Sequence, residues 1–155
     1  MEKTPYAYDF LWHQIELGYK NIRKKKYREL IEQFLKNEEL RVKLNKKEEK
    51  RVRKYKGGLL EKTASVLSLS LCIYDNYPEI DIDLLLTAII LNLYSSLYTK
   101  SQFYEYIKDY PELIPFLYRK KRTKPVLEIL IFDSLNKFDD MVIKNLIKRR
   151  EKDGG

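Results

Sequence analysis

The feature that most constrains the fold is an apolar stretch that runs from Ile82 to Leu97. Nearly every residue from Leu84 to Leu93 is apolar, and a helix that is apolar on all sides belongs in the middle of a core. The stretch contains Asp83 and Asn92, and it is shorter than the roughly 18 to 20 residues that a membrane-spanning helix needs. The chain must therefore supply other helices to cover this segment, which predicts an all-α bundle and no membrane partner.

Apolar residues at helical spacing predict the helices that surround this segment. The pattern indicates helices over residues 7–22, 27–35, 38–44, 59–77 and 126–148, with two short helices between 98 and 118. Asn37 and either Asp81 or Asp83 are suitable N-caps, and Pro78 ends the helix at 59–77. Residues 119–124 are expected to form a loop that is rich in Lys and Arg. The sequence thus predicts a single compact bundle of about seven or eight helices.

Length and composition favour one cytoplasmic domain. A chain of 155 residues suits a single core, and we expect a domain over residues 1–150 with a frayed tail at 149–155. The start of the chain lacks an apolar segment behind a basic one, so we expect no signal peptide. Cys72 is the single cysteine, which excludes an internal disulfide, and its apolar neighbours predict that it is buried.

Positive charge is concentrated in one part of the chain. Residues 20–56 contain sixteen Lys and Arg and six Glu, whereas the whole chain carries a net charge of +8. This asymmetry favours an anionic partner, RNA or DNA, held through phosphates in a salt-sensitive way. Tyr27 and Tyr55 are suited to stack on bases, and a solvated helical face is the alternative interpretation. The predicted phosphate-contacting residues are Arg23, Lys24, Lys25, Lys26, Lys47, Arg51, Arg53 and Lys54.

The residues that follow this basic segment carry a family resemblance. Gly57-Gly-Leu-Leu-Glu-Lys-Thr63 is similar to the Gly-Gly-Leu-Leu-Glu-His-Thr that opens the HD domain of bacterial HD-type 3′-to-5′ exoribonucleases, within the HD superfamily of metal-dependent phosphohydrolases. Residues 30–41, 77–91 and 127–135 resemble further parts of that domain. The resemblance implies an HD-type helical bundle, with basic N-terminal helices at 7–56 and an HD-like core at 57–148.

The same resemblance implies that the chemistry of the family has been lost. Family members hold divalent metals with His and Asp side chains, and the metals activate water. The first His of the family corresponds to Lys62, its His-Asp pair to Asn92 and Leu93, and its last aspartate to Asp133. An ammonium group has no lone pair for a metal, and the single histidine, His13, lies outside the matched region. We therefore expect a degenerate pseudoenzyme with no catalytic residues, metal or cofactor.

Several hypotheses follow from this interpretation. Lys62 is expected to place its ammonium where a metal would bind and to pair with Asp133, or alternatively to reach solvent while Asp133 lies on the surface. The first function hypothesis is nucleic-acid binding through the basic N-terminal half. The alternatives are a protein-interaction or homodimerisation module, using the first helix and residues 98–118, and a nucleotide-binding or residual phosphohydrolase site in which Lys62, Ser95 and Ser96 meet phosphate.

Overall fold

The computed structural model describes residues 2–119 and 124–154, so most of the Lys- and Arg-rich loop predicted at 119–124 lies outside the described residues. The described residues form helices and no strand, with one isolated bridge between Lys3 and Lys56. The prediction of an all-α bundle is confirmed. The eight helices of the described residues are α1 (Tyr8–Lys20), α2 (Lys25–Leu35), α3 (Glu38–Asn45), α4 (Gly58–Asn76), α5 (Ile82–Ser95), α6 (Lys100–Ile107), α7 (Ile114–Leu117) and α8 (Leu127–Gly154).

Helix α5 occupies the centre of the bundle, as its apolar sequence predicts. Twelve of its 14 residues are buried, and it packs against α1, α2, α4, α7 and α8. The carboxylate of Asp81 caps the helix by accepting the Leu84 N–H at 3.1 Å. Asp83 instead accepts the backbone N–H groups of Arg23 and Lys24, at 3.1 and 3.0 Å. These two hydrogen bonds connect the residues just before α2 to the start of α5.

Helices α4 and α8 differ from the sequence-based expectation at their outer parts. Cys72 is exposed, because it lies about 200° around α4 from the buried Ser70, so the prediction that it is buried is wrong. Helix α8 continues to Gly154, whereas the sequence predicted an end near Lys148 and a frayed tail at 149–155. Its last turns carry many charged side chains that are exposed to solvent. These side chains do not interrupt the backbone hydrogen bonds of the helix.

Within the described part of the chain, no helix has the length and apolarity that are needed to cross a lipid bilayer. The apolar α5 has 14 residues, and the longer α8, with 28 residues, is polar along much of its length.

Candidate functional site

The segment at 46–57, here called the basic loop, joins α3 to α4 in an irregular but tightly bonded path. The buried carboxylate of Glu49 accepts the backbone N–H of Arg51, of Val52 at 2.9 Å and of Arg53 at 3.2 Å. Burial raises the pKa of Glu49, but the three backbone N–H groups lower it more, so the pKa lies below its ordinary value. An ionised Glu49 therefore turns the chain back towards the bundle.

Arg53 anchors the basic loop in the interior. Its guanidinium donates hydrogen bonds to Glu61 of α4 and to Asp139 of α8, and both carboxylates are almost fully buried. Burial lowers the pKa of Arg53, but its bonds to Asp139 and Glu61 raise it more, so the group stays charged. Three hydroxyl groups complete this buried ion network, each at 2.7 Å from a carboxylate oxygen: those of Thr4, Tyr55 and Ser65.

The prediction that Arg53 contacts phosphates is therefore wrong. Its side chain is 2% exposed, and its donors are used by two carboxylates of the same chain. A signal for this role existed in the sequence, because Glu61 and Asp139 lie on the apolar faces of their helices, beside Leu60 and Leu135. Buried carboxylates need a cationic partner, although helical spacing alone does not say which cation supplies it.

A polar cavity of about 490 Å³ lies beside the basic loop, between α4, α5 and α8. Its lining includes Lys62, Asn92 and Asp133, three of the four positions that the resemblance pairs with metal ligands. Leu93, the fourth, is fully buried in the core. The fold thus brings together three of these positions from three separate helices.

Lys62 pairs with a carboxylate in this cavity, but the partner is not Asp133. Its ammonium binds Asp140, lies 3.7 Å from Asp139 and donates to the Asn136 carbonyl at 3.3 Å. Asp133 pairs with Arg119 instead. The predicted Lys62–Asp133 pair is wrong because Asp140 lies about two helical turns farther along α8, level with Lys62.

The three cavity donors that the sequence predicted to meet phosphate, Lys62, Ser95 and Ser96, are engaged within the chain. The hydroxyls of Ser95 and Ser96 donate at 2.7 Å to the carbonyls of Asn92 and Leu93 in their own helix, and Lys62 is engaged as described. Across residues 2–119 and 124–154, no group of three His, Cys, Asp or Glu side chains could hold a metal ion. A phosphate beside Lys62, Ser95 and Ser96 would therefore meet donors that are already occupied, whereas Lys47, Lys50 and Lys137, which also line the cavity, have no carboxylate at ion-pair distance among the described residues.

The predicted basic surface is divided into two groups. The residues at 23–26 lie near the start of α5, where Lys24 pairs with Asp81 at 3.5 Å and Lys26 pairs with Glu112 at 3.1 Å. The basic loop lies about 14 Å farther along α5, near Asn92. Lysines of one continuous sequence segment therefore act at two separate places on the surface.

The two basic groups differ in how far their charges are neutralised. Lys25 adds a third ion pair to the first group, with Glu29 at 3.8 Å. In the basic loop, Arg51 lies 3.6 Å from Asp140 while its side chain stays 73% exposed. Among the residues that the structure describes, no carboxylate lies at ion-pair distance from the remaining predicted contacts of the loop, Lys47 and Lys54, or from the neighbouring Lys50.

Both tyrosines that were expected to stack on bases have hydroxyl groups bound to carboxylates of the same chain. Tyr27 is 1% exposed, and its hydroxyl donates to Glu112 at 2.8 Å. Tyr55 donates to Glu61, and burial together with this bond raises its pKa. The cationic groups that the basic loop exposes include the amino groups of Lys50 and Lys54 and the guanidinium of Arg51, which pairs with Asp140.

Replacing Lys62 with methionine is expected to lower the free energy of unfolding by about 2 kcal/mol, because the ammonium separates two carboxylates and is 12% exposed. For a chain of this size, this loss corresponds to a fall in Tm of about 5 °C, measurable by circular dichroism. Lys50→Met is the matched control, since Lys50 lines the same cavity but is exposed. An unchanged Tm for Lys62→Met would contradict the pairing.

Comparison with known proteins gives this chain no relative: no protein-family model, curated protein or solved structure matches it. Its own contacts combine an internally anchored basic loop with a cavity in which Lys62 is paired with Asp140.

Proposed function

We propose that this chain is a non-catalytic, degenerate HD-type domain that binds a nucleic-acid strand through the lysines of the basic loop. The proposal rests on the opposite orientation of two sets of side chains within this loop. Glu49 and Arg53 point inward and hold the backbone, whereas Lys50 and Lys54 are exposed and Lys47 is half-buried. An ordered loop loses little conformational entropy when its side chains engage a ligand, which favours binding.

The cavity supports the non-catalytic part of the proposal. Lys62 carries a positive charge at a position where the family resemblance expects a metal-ligating His, and Asp140 and Asp139 balance that charge. An HD domain whose metals have been replaced by an internal ion pair would keep its fold but would lack the metal ions that act as Lewis acids. Binding would then depend on charges at the rim, and strand cleavage would not follow.

The chemistry of the loop favours contacts to phosphates over recognition of bases. Amino groups of Lys47, Lys50 and Lys54 form charge-assisted contacts to the backbone of any strand, and the neighbouring Tyr55 is engaged with Glu61. Base edges are read by positioned hydrogen-bonding groups, whereas the exposed guanidinium of Arg51 is paired with Asp140. The proposal therefore implies binding that depends little on sequence and strongly on salt.

The test is fluorescence anisotropy with a labelled 20-nucleotide RNA and a DNA duplex between 50 and 300 mM KCl. If the three lysines each contact a phosphate, the logarithm of the binding constant should fall with the logarithm of salt concentration with a slope of about −2 to −3. The triple variant Lys47→Gln, Lys50→Gln, Lys54→Gln should weaken binding about 30-fold or more at 100 mM KCl.

The matched control removes three charges elsewhere. Lys25, Lys36 and Lys108 each already face a carboxylate three or four residues away, so the triple Lys→Gln variant at these positions should bind almost as the parent does. Equal weakening by both triples would mean that net charge alone governs binding. No binding at 50 mM KCl, or manganese-dependent cleavage of the RNA, would contradict the proposal.

A further inference from the structure

Helix α8 has apolar residues on two opposite faces. One face packs into the bundle through Ile129, Phe132 and Leu135, which are buried. The opposite face leaves four large side chains in solvent: Leu127 is 57% exposed, Leu130 49%, Phe138 49% and Met141 52%. An apolar stripe on the outside of a helix is typical of a surface that contacts another helix.

The order of residues in this stripe is symmetric about Ser134. From Leu127 to Met141 the positions follow at steps of three, four, four and three residues, with Ser134 in the middle. A rotation by 180° about an axis through Ser134 exchanges Leu127 with Met141 and Leu130 with Phe138. Such a stripe is complementary to a second copy of itself that runs in the opposite direction, which is the property of a twofold interface.

We propose that two copies of this chain form a homodimer by pairing their α8 helices antiparallel across the stripe. Steps of three and four residues place apolar side chains along the seam of two supercoiled helices. Leu127 of one copy then packs on Met141 of the other, and Leu130 packs on Phe138. The small Ser134 lies at the twofold axis, where a small side chain lets the two backbones approach closely.

Charge at the edge of the stripe favours a second copy over an unrelated helix. Asp133 and Lys137 lie one helical turn apart on the same edge of α8, and Lys137 has no carboxylate at ion-pair distance among the described residues. In the antiparallel arrangement, Lys137 of one copy lies near Asp133 of the other, whose carboxylate also binds Arg119 of its own chain, and the contact occurs twice. The stripe therefore matches its own copy in charge as well as in shape.

The arrangement also sets where the cavities lie. Asp133 and Lys137 line the polar cavity beside the basic loop, and the same edges of two antiparallel helices lie on one side of the pair. The two cavities of the dimer would thus open on the same side, within about 10 Å of the twofold axis along the helix direction. The sequence-based hypothesis placed a dimer contact at residues 98–118 and the first helix, a different surface.

Sedimentation equilibrium between 1 and 100 µM tests the dimer, and we expect it to persist at 500 mM KCl because its contacts are mainly apolar. Leu130→Asp with Phe138→Asp should weaken association about 100-fold or more. The control pair, Val42→Asp with Tyr77→Asp, alters side chains that are 53% and 62% exposed elsewhere and should still dimerise. Circular dichroism verifies that the variants fold. A monomeric parent chain at 100 µM would overturn the proposal.

Cysteine cross-linking tests the direction of the helices in the parent fold. In a Cys72→Ser background, Ser134→Cys should form an intermolecular disulfide, because the two positions 134 meet at the axis. Leu130→Cys should not, since the two positions 130 lie about 12 Å apart along the helices, beyond the reach of a disulfide. Cross-linking of both variants would indicate parallel helices and overturn the arrangement, as would its absence from Ser134→Cys. Neither experiment involves nucleic acid, so its outcome is independent of the proposed function.

Discussion

Replacing Arg53 with methionine is expected to destabilise the fold by about 3 to 5 kcal/mol, because it leaves the buried carboxylate of Glu61 without a cation and that of Asp139 with only Lys62, at 3.7 Å. Glu61 and Asp139 are 8% and 4% exposed at their side chains, and the hydroxyl groups around them cannot neutralise two negative charges. Arg53 also connects the basic loop to α4 and α8. The loss should therefore appear both in global stability and in the order of the loop.

Urea denaturation followed by circular dichroism measures this loss. Arg119→Met is the matched control, because Arg119 also pairs with an aspartate of α8 but is 45% exposed, so its loss should cost less than about 1 kcal/mol. Adding Glu61→Gln and Asp139→Asn to Arg53→Met should restore part of the stability, since the buried charges are then gone. A loss below 1 kcal/mol for Arg53→Met would show that the network contributes little.

Replacing Gly58 with alanine is expected to cost about 3 kcal/mol, because the added methyl group would overlap the backbone carbonyl oxygen of Arg53. That carbonyl accepts the N–H groups of Glu49 at 3.1 Å and Tyr55 at 2.9 Å, so it cannot move without loosening the turn. Alanine otherwise suits the first position of a helix. The cost therefore comes from the contact between the basic loop and the start of α4.

Thermal and urea denaturation of Gly58→Ala compare directly with Gly18→Ala. At Gly18, in α1, the added methyl group would lie 3.1 Å from side-chain carbons of Leu67, which can shift, and alanine favours the helix by about 1 kcal/mol. We expect Gly18→Ala to be nearly neutral. Similar stability of the two variants would show that the loop adjusts freely around Gly58 and is not held against α4.

Both predictions address whether the basic loop is ordered before it meets a ligand. In the proposed function, Lys47, Lys50 and Lys54 bind phosphates well because Glu49 and Arg53 hold their backbone. Either substitution at the anchor should then weaken nucleic-acid binding although every exposed lysine is retained. Hydrogen exchange of the backbone amides at 49–57 measures the order of the loop separately from global unfolding.

The helices and the central position of α5 could be predicted from the sequence, because both follow from local patterns. The apolar residues from Leu84 to Leu93 are buried as expected, and Asn37 and Asp81 cap the helices that follow them. Helical spacing and short-range capping depend on residues within a few positions of one another. Lys62, Asn92 and Asp133, which the predicted HD resemblance groups, line one cavity, and the family relationship itself stays a prediction.

Only the tertiary structure decided which charged residue meets which. A run of lysines and arginines has no periodicity that separates an inward-pointing Arg53 from an outward-pointing Lys54, because the choice depends on carboxylates of α4 and α8. For the same reason, Lys62 pairs with Asp140 and not with Asp133. The sequence by itself determined the helices and their buried faces through short-range spacing. The ion pairs, and the division of the basic segment into two surfaces, depend on contacts between distant residues that spacing does not encode.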